Sequence, residues 1–135
     1  MKQTRESRRA KGLPPLTPSE RALRNTNTLR GRLNRLVIGA RASAKDKGYA
    51  FEITLFDVAL AWKRQGGRCA YTGWELSTET KSPRLVSLDR RDSKVGYVPN
   101  NIQLACWAAN RAKSTMGEAE FIDLCAAVNA HSNLL

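Results

Sequence analysis

The chain has 135 residues, 23 Lys and Arg against 12 Asp and Glu (net charge +11), and a hydrophobic share of 41%. That length accommodates one domain with a modest core, and that hydrophobic share excludes wholesale disorder. No run reaches the roughly 18 apolar residues of a membrane span, and "MKQTRESRRAKG" lacks the apolar segment of a secretion signal. These features point to an intracellular, cytoplasmic protein with no membrane partner.

The charge is unevenly placed. Residues 1 to 47 carry 13 basic and 3 acidic side chains, a net of +10, whereas residues 48 to 135 carry 10 and 9, a net of +1. An excess confined to one third of the chain marks a polyanion-binding element, and its arginines suit phosphate. The plainer alternative is a solubilising surplus.

In chain order, residues 1 to 16 read as a flexible basic tail rich in charge, Gly12, Pro14 and Pro15. Residues 17 to 64 read as a basic helical arm and a linker helix. "TPSE" offers Thr17 as a cap, Pro18 at the first helical position and Glu20 to complete a capping box. Leu29, Leu33, Leu36, Val37, Ala40 and Ala44 follow at helical spacing and are expected to face a core. Arg24, Arg32, Arg35, Arg41 and Lys45 fall largely elsewhere on the wheel, as a phosphate-binding stripe, and Gly48 ends the helix. "YAFEI" is a short extended piece. Thr54 and Asp57 make a second cap for "LFDVALAWKRQ", which Gly66 and Gly67 terminate.

Residues 65 to 135 form the remaining unit. "RCAY" and "WEL" flank Thr72 and Gly73 as a tight knuckle. "RLVSLD" and "IQLAC" are strands, and "WAANRAKS" is a short helix. Thr115 and Glu118 cap a last helix whose buried face is expected to hold Phe121, Ile122, Cys125 and Val128. The fold class is α+β. Cys69, Cys106 and Cys125 form no close pair, which argues against a disulfide framework, and Cys106 and Cys125 read as buried small hydrophobes. Of Trp62, Trp74 and Trp107, at least two are expected in the core, although each could stack on a base.

The stretch "VSLDRRDSKVGYVPNNIQLACWAANRAKS" can carry chemistry. Asp89 ends a strand, and Asn110 lies on a helix that follows the second strand. A carboxylate and an amide oxygen are hard ligands suited to Mg2+ or Mn2+, with waters and phosphate oxygens completing the shell. Asn101, nine residues before Asn110, is placed to fix the intervening loop. Lys113 shares a helical face with Asn110 and is expected at a phosphate. Simpler uses remain open: Asp89 as partner of an arginine, and Asn101 as an ordinary turn cap.

This ordered set, "LDR", "GY", Asn101 and "CWAANRAK", resembles the ββα-metal core of HNH (His-Me finger) endonucleases, especially small phage-borne and homing-type ones. "GGRCAYTGWEL" is similar to the knuckle preceding that core. The likeness covers about residues 65 to 114, with a weaker one at "RASAKDKGYAFEIT". It implies metal-dependent hydrolysis of DNA, with Asp89 and Asn110 on the metal and backbone phosphates as the main contact, in a setting such as a phage-infected bacterial cell.

The chain departs from the pattern in two places. The family's catalytic histidine falls at Arg90, which cannot act as a base and would instead stabilise charge on the phosphate. The base role is left to a metal-activated water, to Asp92 or to a substrate phosphate; His131, near the end of the chain, is a weak substitute. Thr72 and Ala109 stand where paired knuckle cysteines would, so no structural zinc is expected. Two rival readings follow: a DNA-binding protein that kept the fold and lost catalysis, and, on charge alone, an RNA-associated basic protein.

Overall fold

The computed structural model describes residues 9–15, 17, 18 and 28–134. Glu20 and Arg24, which figure in the expected start of the arm, lie outside the described residues. The helix carrying the apolar series, α1 (Leu29–Lys47), begins at Leu29, where Thr28 Oγ1 accepts the Gly31 N–H at 3.1 Å. Gly48 ends it in the left-handed region at φ 73°. Leu33, Val37, Ala40 and Ala44 are buried along one face, and Leu29 and Leu36 flank them.

Thr54 and Asp57 form the expected capping box on α2 (Leu55–Gln65), with the Thr54 N–H 2.8 Å from Asp57 Oδ2. Gly66, at φ 60°, closes it. Val58 and Ala61 from this helix meet Ile53, the α1 face, Val86, Ile102 and Leu104 in the main core.

The sheet has two antiparallel strands, β1 (Val86–Arg90) and β2 (Ile102–Cys106), in a register that sets Val86 opposite Cys106 and Asp89 opposite Gln103. Successive side chains of a strand point to opposite faces. Val86 and Leu88 therefore join the core under α1 and α2, while Ser87 and Asp89 turn toward α3 (Trp107–Lys113). Gln65 covers β2: its amide accepts the Leu104 N–H at 2.9 Å and donates to the Leu104 carbonyl at 2.8 Å.

A second cluster joins Cys69, Ala105, Cys106, Ala109 and Phe121. Within the knuckle Gly73 sits at φ 71°, Cys69 Sγ accepts the Cys106 N–H at 3.2 Å, and the Thr72 hydroxyl hydrogen-bonds Cys69.

Three expectations need correction. Gly117, not Thr115, caps α4 (Glu118–Ser132). Of its expected buried face only Phe121 is buried, against Tyr71 at 5.2 Å; Ile122 and Val128 are 54% and 60% exposed, and Cys125 is exposed. The helix leaves the core after one turn, so its apolar stripe outruns the surface it could cover. The tryptophans divide the other way from expectation: Trp62 packs on the core, while Trp74 and Trp107 are exposed. No described helix is long and apolar enough to cross a membrane.

Candidate functional site

Asp89 is 2% exposed and fully engaged. Its Oδ1 receives Lys113 Nζ at 3.0 Å, and its Oδ2 accepts the Tyr71 hydroxyl and, at 3.0 Å, Gln103 Nε2. Burial, then the Asp89 carboxylate, pushes the Tyr71 phenol far above its ordinary range. Lys113 is 1% exposed and also donates to the Arg90 carbonyl at 2.9 Å. This corrects the surface phosphate contact expected of Lys113: a buried carboxylate needs a counter-charge, and the α3 lysine supplies it.

Arg90 emerges from the opposite side of β1. Its guanidinium lies 4.1 Å from the Tyr49 ring centroid and 5.4 Å from that of Tyr97, and donates to the carbonyls of Ser93 at 2.7 Å and Val95 at 3.1 Å. It lines an open groove of about 630 Å³ with Tyr49, Arg91, Asp92, Lys94 and Glu118. Asp92 caps its own turn, Oδ1 accepting the Lys94 N–H at 2.9 Å.

Asn101 holds that loop in shape. Its Oδ1 accepts the Asp92 N–H at 2.9 Å, and its Nδ2 donates to the carbonyls of Asp92, Val95 and Gly96 at 3.0 to 3.2 Å. The far side of the loop presses on residues 50–52: Tyr97 N–H donates to the Ala50 carbonyl and Glu52 N–H to the Tyr97 carbonyl, both at 2.8 Å. A Cβ on Gly96 would lie 2.5 Å from the Ala50 oxygen.

Asn110 reaches back across β1. Its Nδ2 donates to Ser87 Oγ at 3.0 Å and to the Leu88 carbonyl at 3.1 Å. Asn110 and Lys113 thus lie along one strand, over Ser87–Leu88 and over Asp89–Arg90. Asp89 and Asn110 are brought to neighbouring places on β1, but their side chains make separate hydrogen bonds. Among the described residues no three His, Cys, Asp or Glu side chains gather as a metal cluster, and His131 sits exposed in the last turn of α4.

The basic face of α1 adjoins this site. Arg32 Nη2 lies 3.4 Å from the Val86 carbonyl, and its buried Nε has no hydrogen-bond partner among the described residues. Burial, then Arg35, lowers its pKa. Arg32 and Arg35 line a groove of about 430 Å³ with Ser87, Leu88 and Tyr97. Arg41 lies over the Phe51 ring at 5.3 Å, and Lys45 is exposed.

Sequence reasoning missed Tyr49, Tyr71, Tyr97 and Gln103. The strand register could have shown Gln103, which sits opposite Asp89; the tyrosines arrive through tertiary packing and leave no local signal.

No family model matches the chain, and no curated protein matches it. Among solved structures, it is similar to the rare-cutting HNH restriction endonuclease PacI, described as exhibiting a mechanism of DNA perturbation. The TM-score is 0.58 at 23% identity, covering 88% of this chain and 95% of that one. At that identity the likeness is one of fold.

Proposed function

We propose that this chain, which has the HNH ββα fold, is a DNA endonuclease that hydrolyses phosphodiester bonds with a divalent cation. One observation carries the reading. Asp89 and Arg90 leave β1 on opposite sides, while Asn110 returns from α3 to the same strand.

Asp89 and Asn110 carry hard oxygens of the kind Mg2+ or Mn2+ takes, but Asp89 is buried and both its oxygens are engaged by Lys113, Tyr71 and Gln103. Lys113 must first release Asp89 Oδ1. Asp89 and Asn110 would hold the ion, which when bound supplies positive charge at the scissile phosphate. Arg90 keeps its proton and adds a fixed charge from the other side of the strand. Asp92, in the groove with Arg90, is a carboxylate placed to accept the proton of the attacking water, whereas Glu118 in the same groove is held by Arg91 at 3.1 Å. Asn101 keeps the loop between them in one shape. Arg32, Arg35, Arg41 and Lys45, with Arg24 beyond the described residues, grip backbone phosphates without reading sequence.

Supercoiled plasmid tests this directly. Nicking or linearisation with Mg2+ or Mn2+, abolished by chelator, is the expected result. Arg90→His should lower the rate at least tenfold, because the fixed charge and the hydrogen bonds to Ser93 and Val95 go together; a rate gain would mark a decayed site instead. The Lys113–Asp89 ion pair favours a second reading, a DNA-binding protein without catalysis. Full affinity for duplex DNA over structured RNA, with no cleavage by wild type or Arg90→His in either metal, would establish it.

A further inference from the structure

Two of the three tryptophans are held at the surface beside arginines. Trp107 is 48% exposed with Arg111 at 5.7 Å from its ring centroid, and Trp74 is 43% exposed with Arg84 at 4.6 Å. The two pairs belong to one end of the sheet. The Trp107 N–H donates to the Leu85 carbonyl at 2.8 Å and the Ala108 N–H to the Pro83 carbonyl at 3.0 Å, so the segment carrying Arg84 is pinned to the start of α3.

Trp107 borders a groove of about 550 Å³ whose other lining residues are Ser87, Asn110, Arg111 and Ser114. No acid is among them, while Glu75, next to Trp74, is paired with Arg68. Ser114 sits at φ 50°, the only non-glycine among the described residues at positive φ. Strained backbone of this kind gathers at functional sites. A half-exposed indole with a guanidinium over one face of its ring, in a polar groove free of carboxylates, matches the platforms on which proteins stack unpaired bases. Paired bases inside a duplex present no free face to such a ring.

We infer that Trp107, with Arg111, is a stacking platform for an unpaired nucleobase, and that Trp74 and Arg84 extend it. The substrate is then DNA with displaced or single-stranded bases beside the groove that Trp107 and Asn110 line. This rests on the nuclease reading for its substrate class, but it is tested without cleavage.

Labelled DNA is titrated with the full chain in chelator as a perfect duplex, as the same duplex with a three-nucleotide bulge, and as a single strand. Wild type should prefer the bulged and single-stranded forms. Trp107→Ala should shrink that preference roughly tenfold, within the range that stacking on one aromatic side chain provides, and leave the salt slope unchanged because the net charge stays the same. Trp107→Phe, which keeps an aromatic face, should retain most of it. Equal preference in wild type and Trp107→Ala, with both folded by circular dichroism, overturns the platform. A wild type that cuts plasmid while Trp107→Ala keeps the preference overturns the platform alone; a Trp107-dependent preference in a chain that never cuts overturns the nuclease reading alone.

Discussion

Lys113 neutralises Asp89 inside the protein: the ammonium lies 3.0 Å from Oδ1, and the two side chains are 1% and 2% exposed. Removing one partner of such a pair strands the other, at a cost of about 3–5 kcal/mol, whereas replacing both is close to neutral. Asp89→Asn and Lys113→Met should each destabilise the protein on that scale, and the double variant should recover most of the loss. Urea unfolding of the four proteins decides it; additive losses would mean that the pair is not coupled. If Asp89 is a metal ligand, Lys113→Met should also tighten Mn2+ binding measured by calorimetry.

Gly96 is fixed by space, since an added Cβ would meet the Ala50 oxygen, nitrogen and Cα at 2.5, 2.6 and 3.0 Å. Backbone cannot give way as a side-chain tip can. Gly96→Ala should therefore cost about 1–3 kcal/mol by overpacking and loosen the loop that holds Arg90. Thermal melting reads the first effect, and faster proteolysis between residues 91 and 98 reads the second.

Residues 1 to 47 cannot be deleted to test their charge, because α1 supplies Leu33, Val37, Ala40 and Ala44 to the core. Charge removal in place is the cleaner experiment. Arg35, Arg41 and Lys45 are exposed, and changing all three to Gln should leave the fold intact. The slope of log affinity for DNA against log salt should become shallower by about 0.9 for each phosphate no longer neutralised. An unchanged slope would show that the charged face of α1 does not meet DNA. Removing residues 1 to 16 should preserve folding.

Tyr71 makes stability sensitive to alkali. Burial and the Asp89 carboxylate raise its phenol pKa in the folded chain, while the unfolded phenol ionises near its ordinary value of about 10. Below that pH both states keep the proton and the contribution is complete. Above it the unfolded chain releases the proton first, so stability falls as pH rises. Tyr71→Phe should remove this part of the alkaline loss, and urea midpoints at pH 8, 9.5 and 10.5 for both proteins will show whether it does.

Local signals were the most readable part of the fold. Thr54, Asp57 and Gly66 mark the ends of α2 because caps and left-handed stops depend on near neighbours. The start of α1 was harder. Thr28 has no Glu or Gln three residues on but Gly31, a weaker signal than "TPSE". In the site, spacing placed Asp89, Asn101 and Asn110 around one strand and loop. It could not reveal that Lys113 turns inward, because the cause is a carboxylate 24 residues away. The apolar stripe of α4 was legible as periodicity, yet burial depends on what lies opposite, and only Phe121 meets the core.

A two-stranded sheet is open to recruitment, since unpaired edge amides and carbonyls can template another strand. Gln65 closes β2 to that traffic at Leu104 by taking both backbone groups with one side-chain amide, and the Ala70 N–H adds a second claim on the same carbonyl at 3.0 Å. Chains crowded at high concentration therefore cannot add strand to strand at this point. Gln65→Ala would free the Leu104 N–H alone, since the Ala70 N–H still holds the Leu104 carbonyl and Cys69 Sγ still holds the Cys106 N–H on the same edge.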